Sequence, residues 1–282
     1  MISRYVQSEG ARLHYVEQGA GPVVVLLHGI PESWNAWTRY IPVLDRAGYR
    51  VVAADLRGYN MSDKPSAVNA YRGARLAEDV ARLIQATGEG RASVLGHSWG
   101  GFVAWVFAMR YPELLERLII MNVPHPQRWG EALCTWIFLR RNPHVLLFQV
   151  PRLPEALLQT CNGRALRRAV ERDLGNGHIS GSTIDGYVAA LLRPGALTGA
   201  LNYYRAHFRE SRRRVWETPN IINAPVLIIW GALDRFFPTD LARPPAHLVP
   251  NARVEIVPGA RHWTHHDNPD VVVPLVLEFL GG

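Results

Sequence analysis

Leu95-Gly96-His97-Ser98-Trp99-Gly100-Gly101 follows the apolar run Ala92-Ser93-Val94-Leu95 and leads into Phe102-Val103-Ala104-Trp105-Val106-Phe107-Ala108-Met109. An apolar strand, a Gly-x-Ser-x-Gly turn and a helix-forming segment make the layout of a nucleophile elbow. Such a turn strains its central residue, so the neighbours must be small, and Gly96, Gly100 and Gly101 meet that need. The plainer reading is a glycine-rich strand-to-helix turn with an incidental serine. The rest of the chain decides between the two.

Upstream of the elbow, residues 4–8 and 12–17 alternate in polarity around Glu9-Gly10, which predicts an antiparallel hairpin. Residues 22–27 and 49–54 are continuous apolar runs, as expected of strands buried on both faces. The first ends at His28-Gly29-Ile30-Pro31 and the second at Asp55-Leu56-Arg57-Gly58-Tyr59. Asp55 is expected to cap a loop and Arg57 to pair nearby. Residues 71–87 carry Leu76, Val80, Leu83 and Ile84 at helical spacing, and Gly88 stops the pattern. After the elbow helix, residues 117–122 read as another strand. Strand and helix alternate throughout, which predicts a parallel sheet with right-handed crossovers.

The alternation then breaks. From Pro124 to Trp216 no buried strand is legible, only arginine-rich helical stretches separated by Asn142-Pro143, Pro151, Pro154, Gly175 to Gly177 and Pro194-Gly195. Strands resume at 225–230 and 253–257, and a last helix spans 268–280 with Pro269 in its first turn. The chain thus reads as one α/β core, residues 1–123 and 217–282, interrupted by a helical insertion at 124–216.

A serine hydroxyl needs a base within hydrogen-bond reach, and the base needs an orienting carboxylate. In elbow hydrolases these follow the nucleophile in the order acid, then histidine. Asp234 ends the strand after the insertion, and His262 follows the turn after the last strand. Both fall at the carboxyl edge of a parallel sheet, where the sites of open α/β folds lie. A helix cap is the competing role for Asp234, and His265 and His266 compete with His262. The oxyanion hole needs two aligned backbone N–H groups. Trp99, next to the nucleophile, supplies one, and Ile30, in the loop after the 22–27 strand, the other; His28-Gly29 shapes that loop.

With 282 residues, 48% hydrophobic and 20% charged, the composition is that of a soluble globular protein. Residues 1–15 are polar, so no signal peptide is expected, and residues 23–27 are too short to span a bilayer. Cys134 and Cys161 lack metal or disulfide spacing and are expected to be reduced and structural. A cytoplasmic location follows. The formal charge of +7 is almost all arginine, since Lys64 is the one lysine. The arginines are dispersed, apart from Arg212-Arg213-Arg214, so nucleic acid is not an expected partner. Neither a metal nor an organic cofactor is implied, because no ligand cluster is legible and Gly96 to Gly101 lacks a dinucleotide-binding context. The expected partner is a small apolar organic substrate, with no membrane contact, acting on a monomer or homodimer.

Several stretches carry a family resemblance. His28-Gly29-Ile30-Pro31-Glu32-Ser33-Trp34, Asp55-Leu56-Arg57-Gly58-Tyr59-Asn60-Met61-Ser62-Asp63-Lys64-Pro65, Phe148-Gln149-Val150-Pro151 and Leu201-Asn202-Tyr203-Tyr204-Arg205 resemble the epoxide hydrolases and related dehalogenases of the α/β-hydrolase fold. The resemblance implies a mostly parallel eight-stranded sheet flanked by helices, with a helical cap inserted after the sixth strand. It marks His28, Pro31 and Trp34 as substrate-side positions. The family's cap tyrosines hydrogen-bond and protonate the epoxide oxygen: Tyr204 falls on one, and His144 stands at the other. Trp34, Trp37, Trp99 and Trp105 suggest an apolar pocket.

The family's elbow carries an aspartate where this chain has Ser98. An aspartate opens an epoxide to an ester, which water can then cleave at the carbonyl. A serine would form an alkyl ether, with no electrophilic carbonyl for the oxyanion hole to serve. Serine suits acyl transfer instead. The sequence therefore predicts a serine hydrolase of carboxylic esters in an epoxide-hydrolase-like scaffold. The runner-up is an epoxide-processing enzyme in which His262 activates water directly, or in which Ser98 replaces an aspartate by engineering. A lyase or a binding protein on the same scaffold is the third.

Overall fold

A computed structural model describes residues 1–133, 135–174, 179–209 and 220–282. Cys134, the Gly175 to Gly177 break, Arg212-Arg213-Arg214 and Trp216 lie outside the described residues.

The strands are β1 (Ile2–Ser8), β2 (Ala11–Gln18), β3 (Val23–Leu27), β4 (Arg50–Ala54), β5 (Ala92–His97), β6 (Leu115–Met121), β7 (Val226–Gly231) and β8 (Ala252–Val257). They form one eight-stranded sheet in the order β1-β2-β4-β3-β5-β6-β7-β8. The β1–β2 hairpin and the β2–β4 pair are antiparallel. Every pairing from β4 through β3, β5, β6 and β7 to β8 is parallel. The β-branched and leucine-rich runs of β3, β5 and β7 are buried along their whole lengths, because helices cover both faces there. Exposure returns at the two edges, β1 and β8.

The core helices include α1 (Ile41–Arg46), α2 (Gly73–Thr87) and α3 (Trp99–Arg110). A short 3-10 turn, Val68–Tyr71, precedes α2, so the predicted helix starts two residues later than its periodicity suggests. Helix α3 is apolar all round and buried from Trp99 to Met109, as befits a helix at the centre of the core. Between β6 and β7 comes the helical insertion: α4 (Pro126–Ala132), α5 (Trp136–Arg141), α6 (Pro143–Leu147), α7 (Leu153–Leu174), α8 (Gly181–Leu192) and α9 (Ala196–Arg209). Helix α7 is broken between Thr160 and Gly163, where Cys161 and Asn162 have left-handed backbone. Cys161 is an exposed free thiol on this break, which corrects the expectation of a structural role. The chain closes with α10 (Thr264–Asp267) and α11 (Pro269–Gly281).

Candidate active site

The carboxyl ends of β3, β5 and β7 and the loop after β8 bring the predicted residues together. Ser98 caps β5 with φ 50° and ψ −117°, the strained geometry predicted for the elbow. Such strain persists only where the surroundings fix it. They do so here by close backbone approach: a Cβ on Gly100 would lie 2.2 Å from the Leu27 carbonyl oxygen at the end of β3. The loop after β3 presses as tightly, since a Cβ on Gly29 would lie 2.8 Å from the Ser98 Cβ. Ile30 thereby sits beside the nucleophile, and Ile30, Trp99 and Ser98 line one cavity.

Ser98 Oγ donates to His262 Nε2 at 3.0 Å, and His262 Nδ1 donates to Asp234 Oδ2 at 2.8 Å. An ionised carboxylate only accepts, so the proton belongs on Nδ1 and the lone pair of Nε2 faces the serine. Asp234 is held by three further donors. Asn122 Nδ2 reaches Oδ2 at 2.8 Å, and the backbone N–H groups of Phe236 and Phe237 reach Oδ1 at 2.8 and 3.1 Å. Burial works to raise its pKa, but the His262 ring and these donors outweigh it and keep the carboxyl below its ordinary value. The two roles weighed for Asp234 coexist: one oxygen caps the turn and the other orients the base.

The cavity holds about 370 Å³ and runs from Ser98 beneath the inserted helices. Apolar surface dominates its wall, with Trp99, Trp129, Phe138, Leu166 and Phe236 among the lining. Pro31, His144 and Tyr204 line it as well. Tyr204 packs edge-on against Trp99 with ring centroids 4.9 Å apart, and against His144 at 5.9 Å. Burial pushes the Tyr204 phenol up to about 12, so it stays protonated and can donate at neutral pH. Burial lowers His144 to about 4, so its ring is neutral there.

His28 and Trp34 do not line this cavity. His28 is fully buried; its Nδ1 donates to the Gly29 carbonyl at 2.8 Å, while Nε2 accepts from the Leu56 N–H at 3.1 Å. It sits behind the loop after β3 and not on the cavity wall, which corrects its assignment to the substrate side. Trp34 donates its backbone N–H to Asp55 and packs against the core. Trp37 and Trp105 are also core, so of the four tryptophans singled out only Trp99 faces the cavity. Arg57 forms a buried pair with Asp79, and Asp55 accepts from His14 and Asn60, as structural roles require.

A second cluster was not legible in the sequence. Glu32 Oε1 accepts from His265 Nε2 and His266 Nε2, each at 2.9 Å. Glu32 Oε2 accepts from the Gly29 N–H at 3.1 Å and from His97 Nδ1 at 2.9 Å. His97 Nε2 lies 2.9 Å from the His262 carbonyl oxygen, so the ring spans Glu32 and the His262 backbone. Burial lowers this ring below the ordinary histidine value, and Glu32 works against that shift. Burial would raise Glu32, but His265 and His97 outweigh it and keep the carboxyl well below its usual range. Glu32, His97 and His265 bring ligand-type atoms within 4.8 Å of one another, yet the hydrogen bonds already occupy both carboxylate oxygens. The histidine partners of Glu32 stand 65 to 234 residues from it in sequence, which is why spacing gave no signal.

Known proteins agree with this architecture. Residues 22–269 match the family model described as alpha/beta hydrolase fold. The AB hydrolase superfamily protein YfhM of Bacillus subtilis (strain 168) is 38% identical, over 98% of this chain and 97% of the relative. Epoxide hydrolase 4 of Mus musculus is 33% identical, over 98% of this chain and 78% of its own length. The crystal structure of Bacillus megaterium epoxide hydrolase in complex with an inhibitor superposes with a TM-score of 0.88 at 29% identity, covering 99% of this chain and all of that one (100%).

Proposed function

Because the chain belongs to the alpha/beta hydrolase fold family, among its epoxide hydrolase-like members, we propose that it is a serine hydrolase acting on carboxylic esters through an acyl-enzyme. The observation that carries this reading is the 3.0 Å contact of Ser98 Oγ with His262 Nε2. His262 takes the hydroxyl proton as Ser98 Oγ bonds to the ester carbonyl carbon. The N–H groups of Ile30 and Trp99 receive the oxyanion. As the tetrahedral adduct collapses, the ester C–O bond breaks and His262 returns the proton to the leaving alkoxide. Water, deprotonated by the same nitrogen, then cleaves the acyl-enzyme and frees the acid. Asp234 fixes the ring and stabilises the imidazolium formed in each half. Tyr204 donates its hydroxyl to a substrate oxygen, and neutral His144 lines the same wall. Residues 124–216 act as the cap over a core of 1–123 and 217–282.

A second reading, epoxide opening, draws support from the relatives named epoxide hydrolases and from Tyr204, a phenol that stays protonated on the cavity wall. With Ser98 it requires His262 to activate water for direct attack on the ring. The two readings separate by comparing a p-nitrophenyl ester with styrene oxide, in the wild type and in Ser98→Ala and Ser98→Asp. The ester reading expects ester turnover that falls by about 10⁶-fold in Ser98→Ala. It expects epoxide opening only in Ser98→Asp, whose carboxylate restores a hydrolysable intermediate. Wild-type epoxide turnover that survives Ser98→Ala would establish the second reading instead.

A further inference from the structure

We propose that the outer face of α5, α6 and the start of α7 docks onto an anionic lipid surface. This binding goes beyond the hydrolase reading and is independent of which bond the triad breaks. Trp136 and Ile137 are 75% and 70% exposed, and Leu146, Leu147, Leu153 and Leu157 between 40% and 48%. Elsewhere among the described residues the exposed large apolar side chains are scattered singly or in small groups. A concentration of this kind on a folded surface marks a site of association.

The charge in the same stretch of exposed residues identifies the occupant. Residues 136–157 contain Arg140, Arg141 and Arg152, all exposed, and no ion pair engages them among the described residues. The acid in this stretch is Glu155, and Arg205 holds it on the inner side with contacts of 2.7 and 2.9 Å. Exposed apolar side chains with cations and no free carboxylate fit a membrane of anionic headgroups, into which tryptophan and leucine insert while arginine stays at the phosphates. A second copy of the chain fits poorly, because a self-complementary contact would set these arginines against one another. Among the described residues no helix is long and apolar enough to cross a membrane, so the contact is peripheral. Such docking departs from the sequence expectation of no membrane contact. Leu147 belongs both to the exposed face and to the wall of the cavity, so docking sets one wall of the cavity against the lipid.

The test is co-sedimentation of the full chain with phosphatidylglycerol vesicles and with phosphatidylcholine vesicles. Binding is expected to the first and to be much weaker with the second. Trp136→Ser with Ile137→Ser is expected to weaken it by roughly tenfold or more. Arg140→Gln with Arg141→Gln is expected to weaken it by about thirtyfold at moderate salt, and high salt is expected to weaken the wild type likewise. All four positions are exposed, so thermal melts of the variants are expected to match the wild type. Quenching of Trp136 by brominated lipid, lost in Trp136→Ser, gives a second readout. No binding to phosphatidylglycerol vesicles, binding that both variants retain, or a dimer in solution that the variants dissociate would each overturn the proposal.

Discussion

Two carboxylate–histidine systems meet at His262, and they differ in what they face. Asp234 orients the His262 ring, whose far nitrogen opens onto the cavity through Ser98. Glu32 gathers His97, His265 and His266, and His97 in turn grips the His262 carbonyl from behind. The residue types are the same. One system ends on Ser98 at the cavity, and the other reaches the Gly29 N–H, the His262 carbonyl and, through His266, the Tyr187 hydroxyl. On the proposed reading, the first moves a proton to substrate. The second fixes the two loops that must stay in register for that transfer to succeed.

The largest effect is expected at the open system. His262→Gln removes the proposed base and is expected to lower ester turnover by about 10⁶-fold with the fold intact, as circular dichroism and thermal melting would check. Retained activity would move the base to another histidine and dissolve the distinction between the two systems.

Glu32→Gln attacks the closed system. It replaces a carboxylate oxygen by an amide NH2 that cannot accept, leaving buried N–H donors unpaired, and a stability loss of about 3 kcal/mol is expected in denaturant unfolding. Turnover of the folded fraction is expected to drop by roughly tenfold through loop misplacement, with the pH profile of the remaining activity unchanged. A new pKa in that profile would mean that Glu32 titrates in the reaction. His265→Gln, whose amide can still donate to Glu32, is the milder control.

The smallest effect concerns histidines with no carboxylate at all. His207 packs between Trp129 and Phe102, with ring centroids at 4.5 and 4.8 Å, and neither ring nitrogen has a partner among the described residues. Burial lowers it to about 4, as it does His125. The unfolded chain binds these protons near pH 6.5 while the folded chain does not until about pH 4. Stability from burying the neutral ring is therefore complete above about pH 6.5 and is lost as the pH falls towards 4. His207→Phe is expected to flatten the fall in Tm between neutral and mildly acid pH, and to stabilise the protein by about 1 kcal/mol at the acid end. An unchanged slope would exclude His207 from the acid sensitivity.

Much of the open system was legible in the sequence because each part obeys a local rule. The elbow needs glycines where backbone meets backbone, and Asp234 and His262 stand where parallel strands end. Asn122 was missed although it follows β6 directly, since an amide at a strand end carries no charge pattern to single it out. The closed system left no trace, because Glu32 and His265 meet only after the sheet is assembled. Hydrophobicity misled in the same way: Trp34, Trp37 and Trp105 read as pocket residues but became core, and the pocket took Trp129, Phe138 and Phe236 from segments with no periodic signal. The exposed side of the inserted helices escaped because exposure, not composition, distinguishes Trp136 from Trp105.

Labelling by a fluorophosphonate probe, located by peptide mass spectrometry, tests the central claim most directly, since it traps the nucleophile itself. The account predicts a single stoichiometric adduct on Ser98 at neutral pH, absent in Ser98→Ala and suppressed in His262→Gln. A protein that opens styrene oxide while Ser98 stays unlabelled would contradict it.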